Sequence, residues 1–500
     1  LSFPLCDDAE RAAVGTAYKQ RSREAALELG LEIVGPKMAH FVRQAKHLAP
    51  QRRLALHCWR GGQRSGSMAW LLRQAGFDVL TLDGGYKQYR RWVLERFAQP
   101  VPSLLVLGGR TGSGKTKVLQ QLAALGEQVL DLERLAHHKG SSFGSIGETP
   151  QPTVEQFENE LCAALGGFDT GRRIWLENES RHVGRVYLPD AFWAQMKSAP
   201  LVNIEVPQDT RIRHLLADYV LSDREALREA FLRIEKKLGG QHLKAALAAL
   251  DADDFATAAS IALHYYDKTY QYGLDTSPSP HIWRLSFRDG SPAHIAQALH
   301  GRDFSGTPPM RRLAIFASGG GSNARRILEH FQHHAREQVA LVVCNKPDAG
   351  VLSIAREHGV PTHLISRQSF YHTEELLEVL KEHAVDFVAL AGFLWLMPPY
   401  LVEAFERRMV NIHPALLPKF GGQGMYGAHV HAAVQAAGET QSGMTVHYVN
   451  TRYDEGDIVF QASCAVLPED SPDDIAHRVL KLEHEHYPAV LERLLLTEEL

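Results

Sequence analysis

The stretch that most constrains the fold of this chain is Leu104 to Leu119, which reads LLVLGGRTGSGKTKVL. A short apolar run leads into a glycine-rich turn and then into helix-forming residues, which fits the phosphate-loop spacing GxxxxGK[ST]. In such a loop, backbone N–H groups and a helix N-terminus bind phosphate oxygens. The phosphate-binding residues predicted from this spacing are Gly109, Gly112, Ser113, Gly114, Lys115 and Thr116. The spacing alone does not identify the molecule that carries the phosphate.

Length and composition indicate several soluble domains. A chain of 500 residues contains about three domains at roughly 150 residues each. The formal net charge of -4 gives no support for attraction of nucleic acid by the whole protein, so any RNA binding must be local, and no DNA partner is expected. Five scattered cysteines show no disulfide framework or zinc-ligand spacing, which predicts a cytoplasmic protein without a protein-held metal.

The longest apolar stretch, residues 387–399, predicts a buried strand and its loop. It is shorter than the roughly 20 residues that a membrane helix needs, and it ends in two prolines. The chain does not open on the charged and apolar regions of a signal peptide. No membrane partner is therefore expected.

Alternating strand and helix patterns place the chain in the α/β class. Proline-containing linkers are predicted at the start of the phosphate-loop part and at residues 301–310. They divide the chain into domains at 1–98, 99–300 and 311–500. The second has a helical subdomain after Pro207, and the third is a doubly wound sheet with mainly parallel strands.

Cys58 is the first candidate catalytic residue. It follows a predicted strand and opens the loop CWRGGQRS, which ends in Arg64 and Ser65 before a helix. A glycine-containing loop with an arginine at a helix N-terminus stabilises a thiolate. Two chemistries stay open from the spacing: a thiol phosphatase, and a rhodanese-type cysteine that carries sulfur or selenium as a persulfide.

Basic and aromatic residues interleave in the next segment, Tyr86 to Arg96. Such a pattern can hold a phosphate backbone and stack on unpaired bases, although a solvated amphipathic helix fits equally well. Further along, 129–132 is predicted as a strand carrying Asp131. The strand that ends near Glu177 and Glu179 places acids where they could organise a metal ion or a water beside the phosphates.

Five motifs in this order resemble the tRNA 2-selenouridine synthase family: CWRGGQRS, LDGGYKQYR, GGRTGSGKT, LDLERLAHHKGSSFG and WLENESRHVGRVYLP. The resemblance covers about residues 1–300 and implies a rhodanese domain, here lacking its first strand and helix, joined to a phosphate-loop domain. It implies that wobble 2-thiouridine in the tRNA anticodon is geranylated with geranyl diphosphate and then converted to 2-selenouridine with selenophosphate. On this resemblance Cys58 would handle selenium or displace the geranyl thiol. The supporting residues of the site would be Arg64, Glu177 and Glu179, and Mg²⁺ is an optional cofactor.

The last 190 or so residues carry a second set of chemical groups. A predicted strand leads into SGGGSN and a helix without lysine, which suits a single phosphate. Asn411 and His413 point the same way at a strand end because strand side chains alternate. An amide and an imidazolium side by side suit an oxyanion, and Asp454 from another loop would keep the imidazole charged and move a proton.

Seven motifs here resemble phosphoribosylglycinamide formyltransferase: SGGGSN, CNKPDAG, LAGFLWL, NIHPALLPKFGG, GMTVHYV, YDEGDIVFQ and LEHEHYP. The resemblance implies 10-formyltetrahydrofolate as formyl donor, glycinamide ribonucleotide as acceptor, and Asn411, His413 and Asp454 as catalytic residues supported by His447. The ribonucleotide-binding residues that it implies are Gly321, Ser322, Asn323, Leu480, Lys481, Leu482 and Glu483. The implied folate-binding residues are Leu394, Trp395, Leu396, Met397, Asn450, Thr451, Arg452, Tyr453 and Asp454.

The leading hypothesis is thus a fusion of two transferases. One alternative makes residues 1–300 an ATP-hydrolysing switch or kinase with a thiol-phosphatase module. Another makes them an inactive RNA-binding appendage.

Overall fold

The computed structural model describes residues 2–219, 224–334 and 336–499. Before residue 99, the described chain forms α1 (Asp8–Gln20), α2 (Arg23–Val34), a 3₁₀ turn (Gly35–Lys37), α3 (Met38–Leu48), β1 (Arg53–Leu56), α4 (Gln63–Gln74), β2 (Asp78–Thr81) and α5 (Gly85–Phe97). The next two hundred residues form β3 (Leu104–Gly109), α6 (Lys115–Ala124), β4 (Gln128–Leu130), α7 (Leu132–Ala136), α8 (Val154–Gly166), β5 (Ile174–Glu177), β6 (His182–Val183), β7 (Val186–Tyr187), α9 (Asp190–Ser198), β8 (Leu201–Glu205), α10 (Gln208–Tyr219), α11 (Arg224–Arg233), α12 (Glu235–Leu238), α13 (Gly240–Asp251), α14 (Phe255–Asp275), β9 (Ile282–Ser286) and α15 (Pro292–Leu299).

The C-terminal part begins with β10. Its elements are β10 (Arg311–Ala317), α16 (Ser322–Phe331), β11 (Glu337–Cys344), α17 (Gly350–Glu357), β12 (Thr362–Leu364), α18 (Arg367–His372), α19 (Glu375–Glu382), β13 (Phe387–Leu390), α20 (Pro399–Ala404), β14 (Met409–His413), α21 (Ala428–Ala436), β15 (Gln441–Tyr448), β16 (Ile458–Ala465), α22 (Pro472–Leu496) and β17 (Thr497–Glu499). Among the residues so described, no helix has the length and apolar character needed to cross a membrane.

The described residues fall into two compact units. The first unit takes residues from 1–104, 127–198 and 221–250, and the second takes them from 105–126, 199–220 and 251–500. The domain boundaries expected from the sequence follow the order of motifs rather than this clustering, and they stay a prediction.

In the first unit, β1 and β2 pair in parallel, with Arg53 opposite Asp78. A small core under this pair joins α3 and α4, whose Phe41 and Leu72 are buried. The strands β4 and β5 form a second parallel pair, and β6 and β7 form a short antiparallel one. The strand, loop and helix order predicted around Cys58 is confirmed.

In the second unit, the strands β3, β8, β9 and β17 are neighbours and run in parallel. All six residues of β3 are buried, as expected for a strand of a parallel sheet that is covered on both faces. The edge strand β17 comes from the C-terminal end of the chain and pairs with β9, with Thr497 opposite Arg284. The long helices after Pro207 confirm the predicted helical region.

The same unit contains a seven-stranded sheet with the order β12, β11, β10, β13, β14, β15, β16. The first five strands are parallel, and β15 and β16 are antiparallel additions. Alternate residues of β10 enter different cores: Ile315 packs with α16 and α22, whereas Phe316 packs with α18 and α19. Helices cover both faces, so the doubly wound, mainly parallel fold is confirmed.

Candidate active sites

Asn411 and His413 lie on one face of β14, where the parallel part of the seven-stranded sheet ends. The loop between β15 and β16 brings Asp454 to them. Asn411 Nδ2 lies 3.4 Å from Asp454 Oδ1, and His413 Nδ1 lies 3.5 Å from Asp454 Oδ2. His447 from β15 completes the group, with its Nε2 3.5 Å from Asp454 Oδ1. An amide, two imidazoles and one carboxylate therefore converge.

The hydrogen bonds of His413 define its tautomer. Its Nε2–H donates to the carbonyl oxygen of Phe420 at 2.8 Å, because a carbonyl can only accept. Burial lowers the pKa of His413, and the neighbouring charge of Asp454 works against that effect. In the unliganded site the imidazole is accordingly less ready to carry a proton than an exposed histidine is.

Asp454 is held as an anion. Its burial would raise the pKa of the carboxyl group, but the His447 hydrogen bond, the His413 charge and the Gly422 N–H together lower it. The Gly422 N–H donates to Oδ2 at 2.9 Å. Asp454 also has a left-handed backbone with φ of 56°, which is uncommon for a residue other than glycine and occurs where a site requires it.

Phe420 and Gly422 contribute to this site through their backbones and were not among the residues singled out in the sequence. Phe420 also has a positive φ, 56°, and its carbonyl orients His413. The motif FGG is part of NIHPALLPKFGG, which resembles the formyltransferase family, and this location beside Asn411 and His413 was the signal that could have identified the two residues. Backbone partners of this kind cannot be read from side-chain identity.

The predicted phosphate-binding residues lie at the N-terminus of α16. Gly321 has φ of 80°, and α16 begins at Ser322, so backbone N–H groups face outward at this end. Asn323 Nδ2 donates to Glu483 Oε2 of α22 at 2.7 Å. Burial raises the pKa of Glu483, and the Asn323 hydrogen bond opposes that shift. Thus the structure brings the two predicted ribonucleotide segments, Gly321 to Asn323 and Leu480 to Glu483, together.

The predicted folate segments flank Tyr371. Trp395 packs beside the rings of Phe370 and Tyr371, with centroids 5.5 and 6.1 Å away, and Arg367 lies over its ring. The Tyr371 hydroxyl donates to the carbonyl of Leu396, and burial, with a smaller effect of Tyr453, raises the pKa of Tyr371. Leu394 is exposed and Met397 is buried, whereas Thr451 and Arg452 lie on the surface. This aromatic wall fixes Trp395 in one orientation.

Cys58 follows β1 and precedes α4 in the other unit. Its Sγ accepts a hydrogen bond from the Gly62 N–H and lies 3.3 Å from Ser65 Oγ. The start of α5 holds the loop, because the Tyr86 N–H donates to the Cys58 carbonyl at 2.9 Å. Gly85 makes this approach possible: a Cβ there would lie 2.2 Å from the Cys58 carbonyl oxygen. Arg64 is exposed on the first turn of α4.

The electrostatics of the loop favour a thiolate. Burial raises the pKa of Cys58, but hydrogen bonds from Ser65, Gly62 and Arg60 outweigh it and lower the pKa to about 7. By contrast, burial raises the pKa of Cys6. Hydrogen bonds and the lowered pKa favour a reactive thiolate at Cys58, and its role as a nucleophile stays a prediction.

This balance predicts the pH dependence of alkylation. We expect the rate of Cys58 modification by iodoacetamide to rise with pH and to reach half of its maximum near pH 7, because only the thiolate reacts. Replacing Ser65 by alanine removes a donor to Sγ and moves the midpoint to higher pH. Mass spectrometry of the Cys58 and Cys6 peptides measures both rates in one sample. An unchanged midpoint in the variant would contradict the role of Ser65.

An aromatic series runs from this loop along α5. The rings of Trp59, Tyr86, Tyr89 and Trp92 follow one another at centroid distances of 5.8, 5.9 and 6.0 Å. Trp59 and Trp92 are about half exposed. One basic residue of the segment is less available than the pattern implied, since the Arg90 guanidinium binds Glu158 and Asn159.

The phosphate loop has the conformation that its spacing predicts. Gly112 and Gly114 have φ of 81° and 80°, and α6 begins at Lys115. Lys115 Nζ donates to the Gly109 carbonyl at 3.0 Å, so the ammonium lies over the loop. The Ser113 side chain is buried, and its Oγ has no hydrogen-bond partner among the residues that the structure describes.

Residues missed in the sequence hold this loop from α10 and α14. Arg211 is buried and donates Nε–H to the Thr111 carbonyl at 2.8 Å, while its guanidinium pairs with Asp267. His214 Nδ1 lies 3.0 Å from the Gly112 carbonyl. Both contacts join positions about a hundred residues apart, which a motif cannot reveal.

Glu177 and Glu179 belong to the first unit, at the end of β5. Glu177 is fully buried, and its Oε2 accepts from the Glu133 N–H at 3.4 Å. The strand predicted at 129–132 is present as β4 but ends at Leu130, and Asp131, predicted to lie within it, instead caps α7 by accepting from the Arg134 N–H. The role predicted for Glu177 and Glu179, which is to organise a metal ion or a water beside the phosphates, stays a prediction.

The fold and these sites define a multidomain α/β protein with a phosphate-loop part and a separate Asn–His–Asp transfer site. Residues 102–299 match the family model described as the tRNA 2-selenouridine synthase AAA domain, and residues 311–491 match the formyl transferase model. The tRNA 2-selenouridine synthase of a Sulfurovum species is 34% identical over 323 residues, which cover 57% of this chain and 86% of that protein. The chain belongs to the tRNA 2-selenouridine synthase family and carries a formyltransferase domain fused to it.

The formyltransferase part has its own relatives. The chloroplastic phosphoribosylglycinamide formyltransferase of Arabidopsis thaliana is 44% identical over 190 residues, covering 37% of this chain. The chain spans 65% of the length of that relative. A solved glycinamide ribonucleotide transformylase from Geobacillus kaustophilus is 36% identical, with 37% of this chain and 99% of that one covered and a TM-score of 0.34.

Proposed function

We propose that residues 311–500 transfer a formyl group from 10-formyltetrahydrofolate to the amine of glycinamide ribonucleotide. The observation that carries the proposal is the convergence of Asn411, His413 and His447 on the Asp454 carboxylate. The similarity to phosphoribosylglycinamide formyltransferase supports this choice of substrates.

The chemistry follows from the charges in the site. Attack of the ribonucleotide amine on the formyl carbon forms a bond to nitrogen and places negative charge on the formyl oxygen. The Asn411 amide and protonated His413 stabilise the charge on that oxygen, and the Asp454 carboxylate beside His413 favours the protonated imidazole. Asp454 is an anion and, with water, takes a proton from the attacking nitrogen and returns one to the folate nitrogen that leaves.

Binding of the two substrates uses separate surfaces. The N-terminus of α16 at Gly321 to Asn323 binds the ribonucleotide phosphate through backbone N–H groups. The segments at Leu394 to Met397 and Asn450 to Asp454 bind the folate, whose rings pack near the fixed Trp395. Both substrates then reach the end of β14.

The full chain, purified and supplied with both substrates, tests this proposal. We expect formylglycinamide ribonucleotide to form only when donor and acceptor are both present, as measured by mass spectrometry. Binding of both compounds without product would overturn the assigned reaction.

For residues 1–300 we propose conversion of wobble 2-thiouridine in a tRNA anticodon to 2-selenouridine through a geranylated intermediate. Support comes from the low pKa of Cys58, the phosphate loop and the family relationship. Cys58 handles selenium delivered from selenophosphate or displaces the geranyl thiol, and Mg²⁺ accompanies the diphosphate. The five free cysteines fit a reducing cytoplasm, which is the location we propose.

The exposed rings beside Cys58 support a substrate with unpaired bases rather than a phosphoprotein, and the family relationship supports tRNA as that substrate. Bases stack on aromatic faces, and a sequence-specific RNA contact needs unpaired bases such as those of an anticodon loop. Trp59 and Trp92 present such faces at the two ends of the series. This observation disfavours the thiol-phosphatase alternative.

Removing the Lys115 ammonium is expected to weaken geranyl diphosphate binding by about 100-fold, because a cation over the loop neutralises the diphosphate. Calorimetric titration of Lys115→Ala measures the loss. Lys117→Ala is the matched control, since Lys117 lies on the same helix but pairs with Asp218. Titration with ATP distinguishes the alternatives: strong ATP turnover without geranyl diphosphate binding would establish the ATPase or kinase instead.

A further inference from the structure

A second cluster of ionisable side chains contains none of the residues that surround Asp454. It joins His330 at the end of α16, His334 in the following turn and Glu492 near the end of α22. One ligand atom from each residue lies within 4.8 Å of the others. His330 Nε2 and Glu492 Oε2 are 2.8 Å apart, and the two imidazole centroids are 4.8 Å apart. All three side chains are partly buried.

A fourth residue, Glu337, stands behind His334. Its Oε2 lies 3.2 Å from His334 Nδ1, and its side chain is only 5% exposed. The other carboxylate oxygen, Oε1, is buried and has no hydrogen-bond partner among the residues that the structure describes. A buried carboxylate oxygen without a partner is costly, so a bound ion or water that satisfied it would stabilise this group.

We propose that His330, His334 and Glu492 form a binding site for a divalent transition metal ion of the zinc class. Two imidazole nitrogens and a carboxylate oxygen suit Zn²⁺ or Co²⁺, whereas Mg²⁺ and Ca²⁺ prefer oxygen ligands alone. Metal–ligand bonds of about 2.0–2.2 Å place tetrahedral ligand atoms about 3.4 Å apart, so the side chains need only small movements to close on an ion. Water supplies the fourth ligand, because Glu337 is engaged at Nδ1 of His334, on the other side of the ring from the metal-binding Nε2.

Glu337 also acts on His334 as a positioning residue. A hydrogen bond from Nδ1–H to a carboxylate fixes the tautomer in which Nε2 is unprotonated and free to bind a metal. Such partners orient metal-binding histidines and raise their basicity. The arrangement thus has three metal ligands and a carboxylate that orients one of them, as metal sites in proteins do.

The site has a structural role in the formyltransferase part. Both helices that meet here also meet at the proposed phosphate site, where Asn323 of α16 contacts Glu483 of α22. From there, α16 continues for about two turns to His330 and α22 for two to three turns to Glu492. A metal ion would therefore connect α16 and α22 at His330 and Glu492. The same two helices meet at Asn323 and Glu483 in the proposed ribonucleotide site. The ion would stabilise the spacing of that pair without touching substrate.

Cobalt titration of the metal-stripped full chain tests the proposal. We expect one Co²⁺ to bind with the strong visible absorption of a tetrahedral site, to be displaced by one Zn²⁺, and to raise the unfolding temperature. His330→Ala and Glu492→Ala should each weaken Co²⁺ binding by about 100-fold or more, and Glu337→Gln by about 10-fold to 100-fold.

His333→Ala is the matched control, because His333 is exposed on the same turn but outside the cluster. It should leave the Co²⁺ affinity and spectrum unchanged. Circular dichroism of the metal-free variants shows whether each one folds. Equal Co²⁺ binding by the wild-type chain and the folded His330→Ala variant would overturn the proposal, and so would the absence of tetrahedral Co²⁺ absorption. Either result would leave a hydrogen-bonded cluster of histidine and glutamate alone.

Discussion

Replacing His413 by alanine is expected to lower the turnover of formyl transfer by at least about 1,000-fold while folate still binds. In the proposed mechanism the protonated His413 imidazole stabilises the oxyanion, and Asp454, 3.5 Å from its Nδ1, favours that protonated form against the opposing effect of burial. The proposed folate surface at Trp395 is built by rings of other elements, so it persists without the imidazole. Steady-state kinetics and folate titration measure the two quantities separately.

Two variants control for structural damage. His413→Gln places a side-chain amide donor near the position of the imidazole Nε2 that contacts the Phe420 carbonyl, which tests whether the loss reflects chemistry rather than a displaced loop. His429→Ala removes an exposed histidine of the neighbouring helix α21 and should leave turnover unchanged. Unchanged turnover in His413→Ala, or equal turnover in His413→Gln and the wild-type chain, would remove the catalytic assignment.

Local spacing was sufficient to predict the parts of the sites that one strand, one turn and one helix create. Cys58, the loop from Gly109 to Thr116 and the pair Asn411 and His413 all lie at such junctions. At these places backbone direction and hydrogen-bonding groups are determined by neighbouring residues, so a short motif carries the geometry. The alternation of strands and helices along the chain was predictable for the same reason, whereas the order of the strands within each sheet was not predicted.

Contacts between distant segments were not predictable. Arg90 belongs to the segment for which RNA contact and a solvated helix were equally good interpretations, and it binds Glu158, which lies 68 positions further along. Arg211 and Asp267 determine the position of the phosphate loop from elements that no motif connects to it. The same holds for His330 and Glu492, 162 positions apart, although the spacing from His330 to His334 was visible. Each of these contacts depends on how distant segments pack together, which a local sequence pattern does not determine.

The fusion is also a structural one. Arg302, within the segment predicted as a linker, and Arg311, directly after it, both lie beside the Glu498 carboxylate of β17. Because β17 extends the sheet of the phosphate-loop part through β9, the last strand of the formyltransferase part contributes to the sheet of its neighbour. The two parts therefore share more than a covalent connection, whether or not their reactions are linked.

Cells that express only this chain as their source of the activity should contain 2-selenouridine in tRNA, and the Cys58→Ala variant should contain none. The mutation leaves the phosphate loop untouched, so geranylated 2-thiouridine is expected to accumulate in its place. Cys6→Ala is the matched control: it removes another thiol of the first unit, one whose pKa is raised by burial rather than lowered. Mass spectrometry of digested tRNA quantifies both nucleosides.

The pattern of the two nucleosides separates the remaining interpretations. Selenonucleoside at the wild-type level in Cys58→Ala would exclude the thiolate from the reaction, whatever its pKa. Absence of both modified nucleosides from the unmutated chain would favour the non-catalytic RNA-binding appendage, and geranylated tRNA without selenium in that chain would locate the defect at the Cys58 loop. Since that loop and the phosphate loop lie in different compact units, loss of one step with retention of the other is the result that assigns a separate chemical task to each.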